Sequence, residues 1–299
     1  MLNLFQWSFI CLLPDAFPSH ARVVICGGGV QGAAIGYYLA QLGWGKDTII
    51  LDQGKVGGGT PWHMSGLIGA YKPSPAETIM AQESIRLYQD LTEKGHSIGF
   101  KQCGSLLLAR TRDRLTHFRR MKAHSVSRDI DCSVLSPADI AKRYPYLNTK
   151  DIQGGLWIPK DAVGDPTAIC LSLAQLASAQ GVKIFEQIQV HRVMTQQRKV
   201  SAVETDRGTI KCDYFINCAG FWARSLGKKT QPLVKVPVQA VEHHYLHTKK
   251  VEGIDEEMPA IRDMDGRIYI RVKDGSYLAG GISQHWKFLY LALKIKMNC

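Results

Sequence analysis

Val23-Val24-Ile25-Cys26-Gly27-Gly28-Gly29-Val30-Gln31-Gly32 is the stretch that decides the fold: an apolar run leads straight into the pattern G-x-G-x-x-G. Residues Ala33 to Ala40 then read as a helix, and Thr48-Ile49-Ile50-Leu51-Asp52 is a second apolar run closed by an acid 20 residues past Gly32. Strand, glycine turn, helix, strand and acid in that order predict a βαβ unit that binds a dinucleotide. Gly27 permits the tight turn, Gly29 lets backbone approach a pyrophosphate, and Gly32 lets helix and strand pack closely. The helix start contributes unpaired N–H groups and a positive dipole end for phosphate, and Asp52 is suited to accept hydrogen bonds from a ribose diol.

A chain of 299 residues, 45% hydrophobic and 21% charged, has the composition of a globular protein with room for two lobes. Its net charge is +11, and the densest basic patch is Arg110 to Arg120. Leu115 and Phe118 share one helical face there with arginines on the other, so this segment reads as a solvated helix face. No stacking platform or DNA-binding motif accompanies it, and no nucleic-acid partner is expected. The eight cysteines show no C-x-x-C spacing, and Cys26, Cys212 and Cys218 lie in or beside strand-like runs, as reduced buried thiols do. No metal site is expected, since the adjacent His243 and His244 would point to opposite faces of a strand. Leu2 to Leu13 is apolar but too short to span a bilayer, and lacks the flanks of a secretory signal or a presequence. No transmembrane segment is expected, and residues 1–20 form a leader of open role.

Further along, Gly57 to Leu67 is a glycine-rich loop followed by an amphipathic helix over Ala76 to Lys94. Ser136-Pro137 caps another helix, and Asp165-Pro166 opens an apolar helix over Thr167 to Gln180. Lys183 to Val193, Lys199 to Thr205, Val236 to Thr248 and Arg267 to Gly281 read as β-structure, and Tyr214 to Gly220 as a buried strand running into a glycine turn. The expected arrangement is an α/β chain. A discontinuous nucleotide-binding domain covers 21–95 and 165–225. A second, mainly β lobe covers 96–164 and 226–283, followed by an atypical tail, 284–299.

These motifs resemble those of the D-amino-acid-oxidase-type flavoproteins. The resemblance rests on the first βαβ unit, Asn217-Cys218-Ala219-Gly220-Phe221-Trp222-Ala223 and the Trp62-His63 loop, and runs from about residue 21 to 283. Within that superfamily the motifs are most similar to the sarcosine and dimethylglycine dehydrogenases, and Leu135-Ser136-Pro137-Ala138, Tyr144-Pro145, Asp165-Pro166, and Glu252-Gly253-Ile254 with Met258-Pro259-Ala260-Ile261-Arg262-Asp263 favour the sarcosine branch. The resemblance implies a Rossmann-like FAD-binding domain and a substrate-binding lobe. It also implies oxidation of an N-methyl amino acid by hydride transfer to flavin N5, with electron-transferring flavoprotein as acceptor and the mitochondrial matrix as location.

By the same resemblance His63 is the residue joined covalently to the flavin; the alternative is a histidine packed beside a noncovalent one. Val30 and Gln31 would face the pyrophosphate, and Asp52 and Gln53 the adenosine ribose. Gly59, Thr60, Pro61, Trp62, His63, Met64, Ser65, Gly66 and Leu67 would wrap the diphosphate and ring edge. Val190 would meet the adenine, and Trp222 follows the second glycine turn. His243 and Tyr269 match active-site positions, although each alone would be an ordinary strand residue. Lys72 stands where relatives carry arginine in the same loop, which makes it the candidate partner of a substrate carboxylate; its plain alternative is a solvated loop lysine.

Two positions depart from the family pattern. Pro61 replaces the threonine before Trp-His and lacks an N–H donor. After Ser283, Gln284 to Cys299 follows no family pattern, so the second lobe is read as incomplete and the chain as a truncated form. The rival function is a non-catalytic regulatory homologue resembling the pyruvate dehydrogenase phosphatase regulatory subunit, a branch that lacks the flavin-linking histidine. An NAD-dependent enzyme has no use for the Trp-His loop.

Overall fold

The structure is a computed structural model and describes residues 17–240 and 243–281. In chain order its first elements are β1 (Val23–Cys26), α1 (Val30–Leu39), β2 (Thr48–Leu51), α2 (Thr60–His63), β3 (Leu67–Ile68) and α3 (Pro75–Glu93). They are followed by β4 (Ser105–Ala109), α4 (Arg112–Ser125), β5 (Ser133–Leu135), α5 (Pro137–Arg143), β6 (Gly154–Ile158) and β7 (Ala162–Val163). Next come α6 (Pro166–Ala179), β8 (Lys183–Phe185), β9 (Val190–Gln196), β10 (Lys199–Thr205), β11 (Gly208–Lys211) and β12 (Tyr214–Asn217). The last are α7 (Ala223–Lys228), β13 (His244–His247), β14 (Ala260–Asp263), β15 (Ile268–Lys273) and β16 (Ser276–Gly281). The chain divides into two compact units, residues 1–64 with 166–240 and residues 65–165 with 241–299.

In the first unit β12-β1-β2-β8 form a parallel sheet, with Val23 level with Thr48 on one side and Tyr214 on the other. Both faces are covered, which is why β1 and β2 are continuous apolar runs rather than alternating ones. Val24, Ile49 and Leu51 pack into one core with Phe185, Val193, Val203 and Leu226. Val23, Ile25 and Ile50 turn the other way, against Ala177 of α6. Gly36 of α1 has no side chain because Ile50 occupies the space: a Cβ there would lie 2.8 Å from Ile50 Cδ1. A three-stranded antiparallel sheet, β11-β10-β9, completes this unit.

The second unit is built on a seven-stranded sheet, β13-β16-β15-β14-β4-β6-β5, with β14 and β4 parallel and the other pairs antiparallel. Leu106 and Leu108 face one core with Ile261, Ile270 and Val272, while Leu107 and Ala109 face the other with Phe118, Ile85 and Leu156. The two-residue period of a strand thus sorts one apolar run into two cores. Ser74 and Glu77 form a reciprocal capping box at the start of α3. Helix α4 buries Phe118 as its periodicity predicts, but not all arginines of this segment are solvated: Arg110, just before the helix, and Arg114 within it pair with Asp263 and Asp265 at 2.7 and 2.9 Å.

Four expectations change. Residues 65–95 group with the second unit, because Leu67–Ile68 pair with Val163 and Ala162 and Ile85 enters the Phe118 core. Residues 226–240 group with the first, where Leu226 is buried against Val193. The run Lys183 to Val193 is two strands in different sheets: the chain breaks at Gln187, φ +59°, while Gln187 and Ile188 donate to the carbonyls of Gly54 and Asp52. Among the described residues of Val236 to Thr248, only His244–His247 is strand, since residues 236–240 make no ladder and Val238 turns back on Val236. Residues 1–16, 241–242 and the tail 284–299 lie outside the described residues. Among those described, no helix is long and apolar enough to cross a membrane.

Candidate functional site

The first unit holds a cavity of about 430 Å³ at the carboxyl ends of β1, β2 and β12, the place where an open parallel sheet binds its ligand. Of the residues expected from sequence to hold the cofactor, Gly27, Gly29, Val30, Gln31, Asp52, Gln53, Gly59, Thr60, Pro61, Met64, Val190 and Trp222 line this cavity. Gly32, Trp62 and His63 belong to the same unit but are not among the lining residues.

Each glycine of the turn has its own geometric reason. Gly27 has φ +110°, and a Cβ on it would stand 2.2 Å from the Cys218 carbonyl oxygen. A Cβ on Gly32 would fall 1.9 Å from the Gly27 oxygen, so helix and turn could not approach. Gly29 differs: its nearest neighbour would be Pro61 Cγ at 3.9 Å. That glycine leaves room not for the protein but for whatever occupies the cavity. The first-turn amides of α1 have no intrahelical acceptor and form an anion-binding end.

Asp52 does more than the sequence reading assigned. Its two carboxylate oxygens accept the N–H of Gly28 at 2.6 Å and of Gly54 at 2.7 Å, tying the glycine turn to the end of β2. Each oxygen keeps a lone pair for a ribose hydroxyl. The cavity thiols are neutral: burial, then the Asp52 charge, pushes Cys26 up to about 12, and burial pushes Cys218 up to about 11. Pro61 lies in the first turn of α2, where a missing N–H costs nothing. His63, exposed at the end of α2, meets the Trp62 ring edge-on with centroids 4.5 Å apart.

Sequence reasoning did not single out Lys55, Ile188, Gln189, Ser225, Leu226 or Lys229, which also line the cavity. They come from loops and from α7, and no local motif marks them. Cys218, Ala219 and Gly220 were visible as a strand–glycine segment, and here they line the cavity beside Gly27.

The second unit carries the other expected site residues. Tyr269 and His243 meet edge to face at 5.7 Å. Burial raises the Tyr269 phenol above its ordinary range, opposed by a hydrogen bond with Ser65. Two residues along β15, buried Arg271 donates from Nη1 to the carbonyls of Ser65, Gly66 and Gly164 at 3.0, 3.1 and 3.1 Å. Gly66, at φ +71°, admits this contact because a Cβ would lie 2.6 Å from Nη1. Leu67 pairs with Val163 in β3–β7.

Lys72 is half-buried and its backbone is fully engaged: Thr78 Oγ1 accepts its N–H at 3.3 Å, and Arg128 Nη1 donates to its carbonyl at 2.8 Å. Two residues earlier, the Ala70 N–H donates to Asp161 Oδ1 at 2.7 Å, and Ser105 bonds the other oxygen of that buried carboxyl. Burial raises the Asp161 carboxyl above the ordinary aspartate range, opposed by Ser105, Ala70 and the Arg262 and Lys72 charges.

A doubly flanked parallel sheet, a glycine turn shaped around an empty wall and an acid at the end of β2 define a dinucleotide-binding protein. The chain belongs to the FAD dependent oxidoreductase family, whose model matches residues 22–290. It is 38% identical to the pyruvate dehydrogenase phosphatase regulatory subunit of Mus musculus, covering 92% of this chain and 31% of that protein. Sarcosine dehydrogenase of Mus musculus is 36% identical, over 88% of this chain and 29% of its own length. The chain thus spans about three-tenths of the length of these relatives. The fold is also that of the L-proline dehydrogenase from P. horikoshii, with a TM-score of 0.83, 20% identity, and coverage of 92% of this chain and 75% of that one.

Proposed function

We propose that this chain carries the FAD site of an oxidoreductase acting on the C–N bond of a small N-methyl amino acid. The observation that carries the reading is Gly29, the turn glycine whose missing Cβ opens onto the cavity rather than onto protein. When bound, FAD supplies the hydride acceptor. Asp52 and Gln53 would hold the adenosine ribose, Val190 the adenine, and the first-turn amides of Val30 and Gln31 the pyrophosphate, with Trp222 on the cavity wall.

Lys72 is the proposed carboxylate partner. A lysine binds as a point charge where an arginine would fork, and the engaged backbone at residues 70 and 72 restricts where that charge can stand. His243 and Tyr269 would orient the amine with its nitrogen unprotonated, the form from which hydride can leave the N-methyl carbon. Covalent flavin attachment at His63, electron-transferring flavoprotein as acceptor and a mitochondrial matrix location belong to the same proposal.

An absorption spectrum of the purified protein before and after acid precipitation tests the cofactor. Anaerobic bleaching of the bound flavin by sarcosine or dimethylglycine tests the substrate. Flavin that neither amine bleaches would favour the regulatory reading, which the 38% identity to a phosphatase regulatory subunit supports.

A further inference from the structure

The backbone of Gly28 is gripped by three hydrogen bonds. Its N–H donates to Asp52 Oδ2 at 2.6 Å, and its carbonyl accepts both the Gly57 N–H at 3.0 Å and the Cys170 thiol at 3.3 Å. Cys170 is fully buried in α6, far from the turn in sequence. Across a trans peptide the carbonyl and the following N–H point in opposite directions. A Gly28 oxygen held toward α6 therefore sends the Gly29 N–H away from α6, on the side where Gly29, Val30 and Gln31 line the cavity.

We propose that Cys170 is a positioning residue of the nucleotide site: by holding the Gly28 carbonyl it keeps the Gly29 N–H aimed at the phosphates of an adenine dinucleotide. This rests on the dinucleotide reading of the cavity. Burial, with the Asp52 charge second, pushes the Cys170 thiol up to about 12, so the donor stays protonated across the working range. Gly57 completes the grip through its N–H, from a backbone at φ +73° that favours glycine. The glycine turn is thus set from outside the turn, by a side chain that never touches the ligand.

The test compares ADP with adenosine as probes of the full chain, because only ADP uses the phosphate donors. Cys170→Ala should weaken ADP binding about fivefold, the net effect of one hydrogen bond, and leave adenosine binding unchanged. Cys170→Ser, which keeps a donor, should bind ADP close to the parent. Should Cys170→Ala not fold, Cys170→Val against Cys170→Thr repeats the comparison at constant volume. Equal losses for ADP and adenosine, or no loss for ADP, overturn the positioning role. A parent chain that binds neither ADP nor FAD overturns the dinucleotide reading itself, and this role with it.

Discussion

Tyr269 and Gly280 stand opposite each other in the β15–β16 ladder, and a Cβ built on Gly280 would lie 2.4 Å from the Tyr269 hydroxyl oxygen. The tyrosine ring lies over the space that glycine leaves on the neighbouring strand, which brings its hydroxyl to Ser65 and its ring edge-on to His243. A glycine inside a strand commonly marks such a close approach.

Gly280→Ala should therefore displace Tyr269 and destabilise the protein by about 1–3 kcal/mol through overpacking. Under the proposed function it should slow amine oxidation while leaving FAD affinity intact. Thermal unfolding, flavin titration and single-turnover reduction measure the three effects. A variant as stable and as fast as the parent would show that the tyrosine does not depend on this gap.

Gly29→Val should abolish flavin binding without unfolding the first unit, because its side chain enters the cavity and meets only Pro61 Cγ near 3.9 Å. Gly32→Val should instead unfold the protein, with a Cβ 1.9 Å from the Gly27 oxygen. Circular dichroism separates the two. Full flavin content in Gly29→Val would mean that the cofactor lies elsewhere.

If the flavin is covalent, a tryptic digest should contain the peptide bearing His63 heavier by one flavin. His63 is exposed at the end of α2 and is not part of the cavity lining, so His63→Ala should retain noncovalent FAD. An unmodified peptide from flavin-replete protein removes the covalent claim alone.

Asp161 should make stability depend on pH. Its folded-state pKa is raised above the ordinary aspartate value by burial. The stabilisation from the protonated form is fully present below that ordinary value and is lost as pH rises through the folded one. Asp161→Asn mimics the protonated carboxyl, keeping an acceptor for Ala70 and offering a donor to Ser105. Melting temperatures across acid to neutral pH should show the parent losing ground to this variant as pH rises. A constant difference between the two curves contradicts the assignment.

Lys72→Met should raise the KM for the amine about tenfold or more with a smaller change in kcat, as loss of a charge-assisted carboxylate contact does. Lys72→Arg should keep KM near the parent's. Equal KM values in parent and Lys72→Met would leave the lysine as a solvated loop residue.

The nucleotide unit was legible because its signals are local. Val23 to Asp52 places strand, turn, helix, strand and acid within one short stretch, and Gly32 meets its constraint inside it, at the Gly27 oxygen. The apolar runs of β1 and β2 likewise announced buried strands. What sequence could not supply was the destination of segments whose partners are distant. Leu67–Ile68 looked like the end of the first loop until pairing with Ala162–Val163 placed it in the second unit. The apolar run ending at Val193 looked like one strand, yet its hydrogen bonds divide it between two sheets. Arg110 and Arg114 had the spacing of a solvated face, and only the return of Asp263 and Asp265 from far along the chain gave them partners. Periodicity reports which side of an element is apolar, because that follows from 3.6- or 2-residue geometry. Which element arrives to cover that side is set by tertiary packing. Arg271 over Ser65, Gly66 and Gly164, and Cys170 behind Gly28, are contacts of this second kind, separated by more than a hundred residues and marked by no motif.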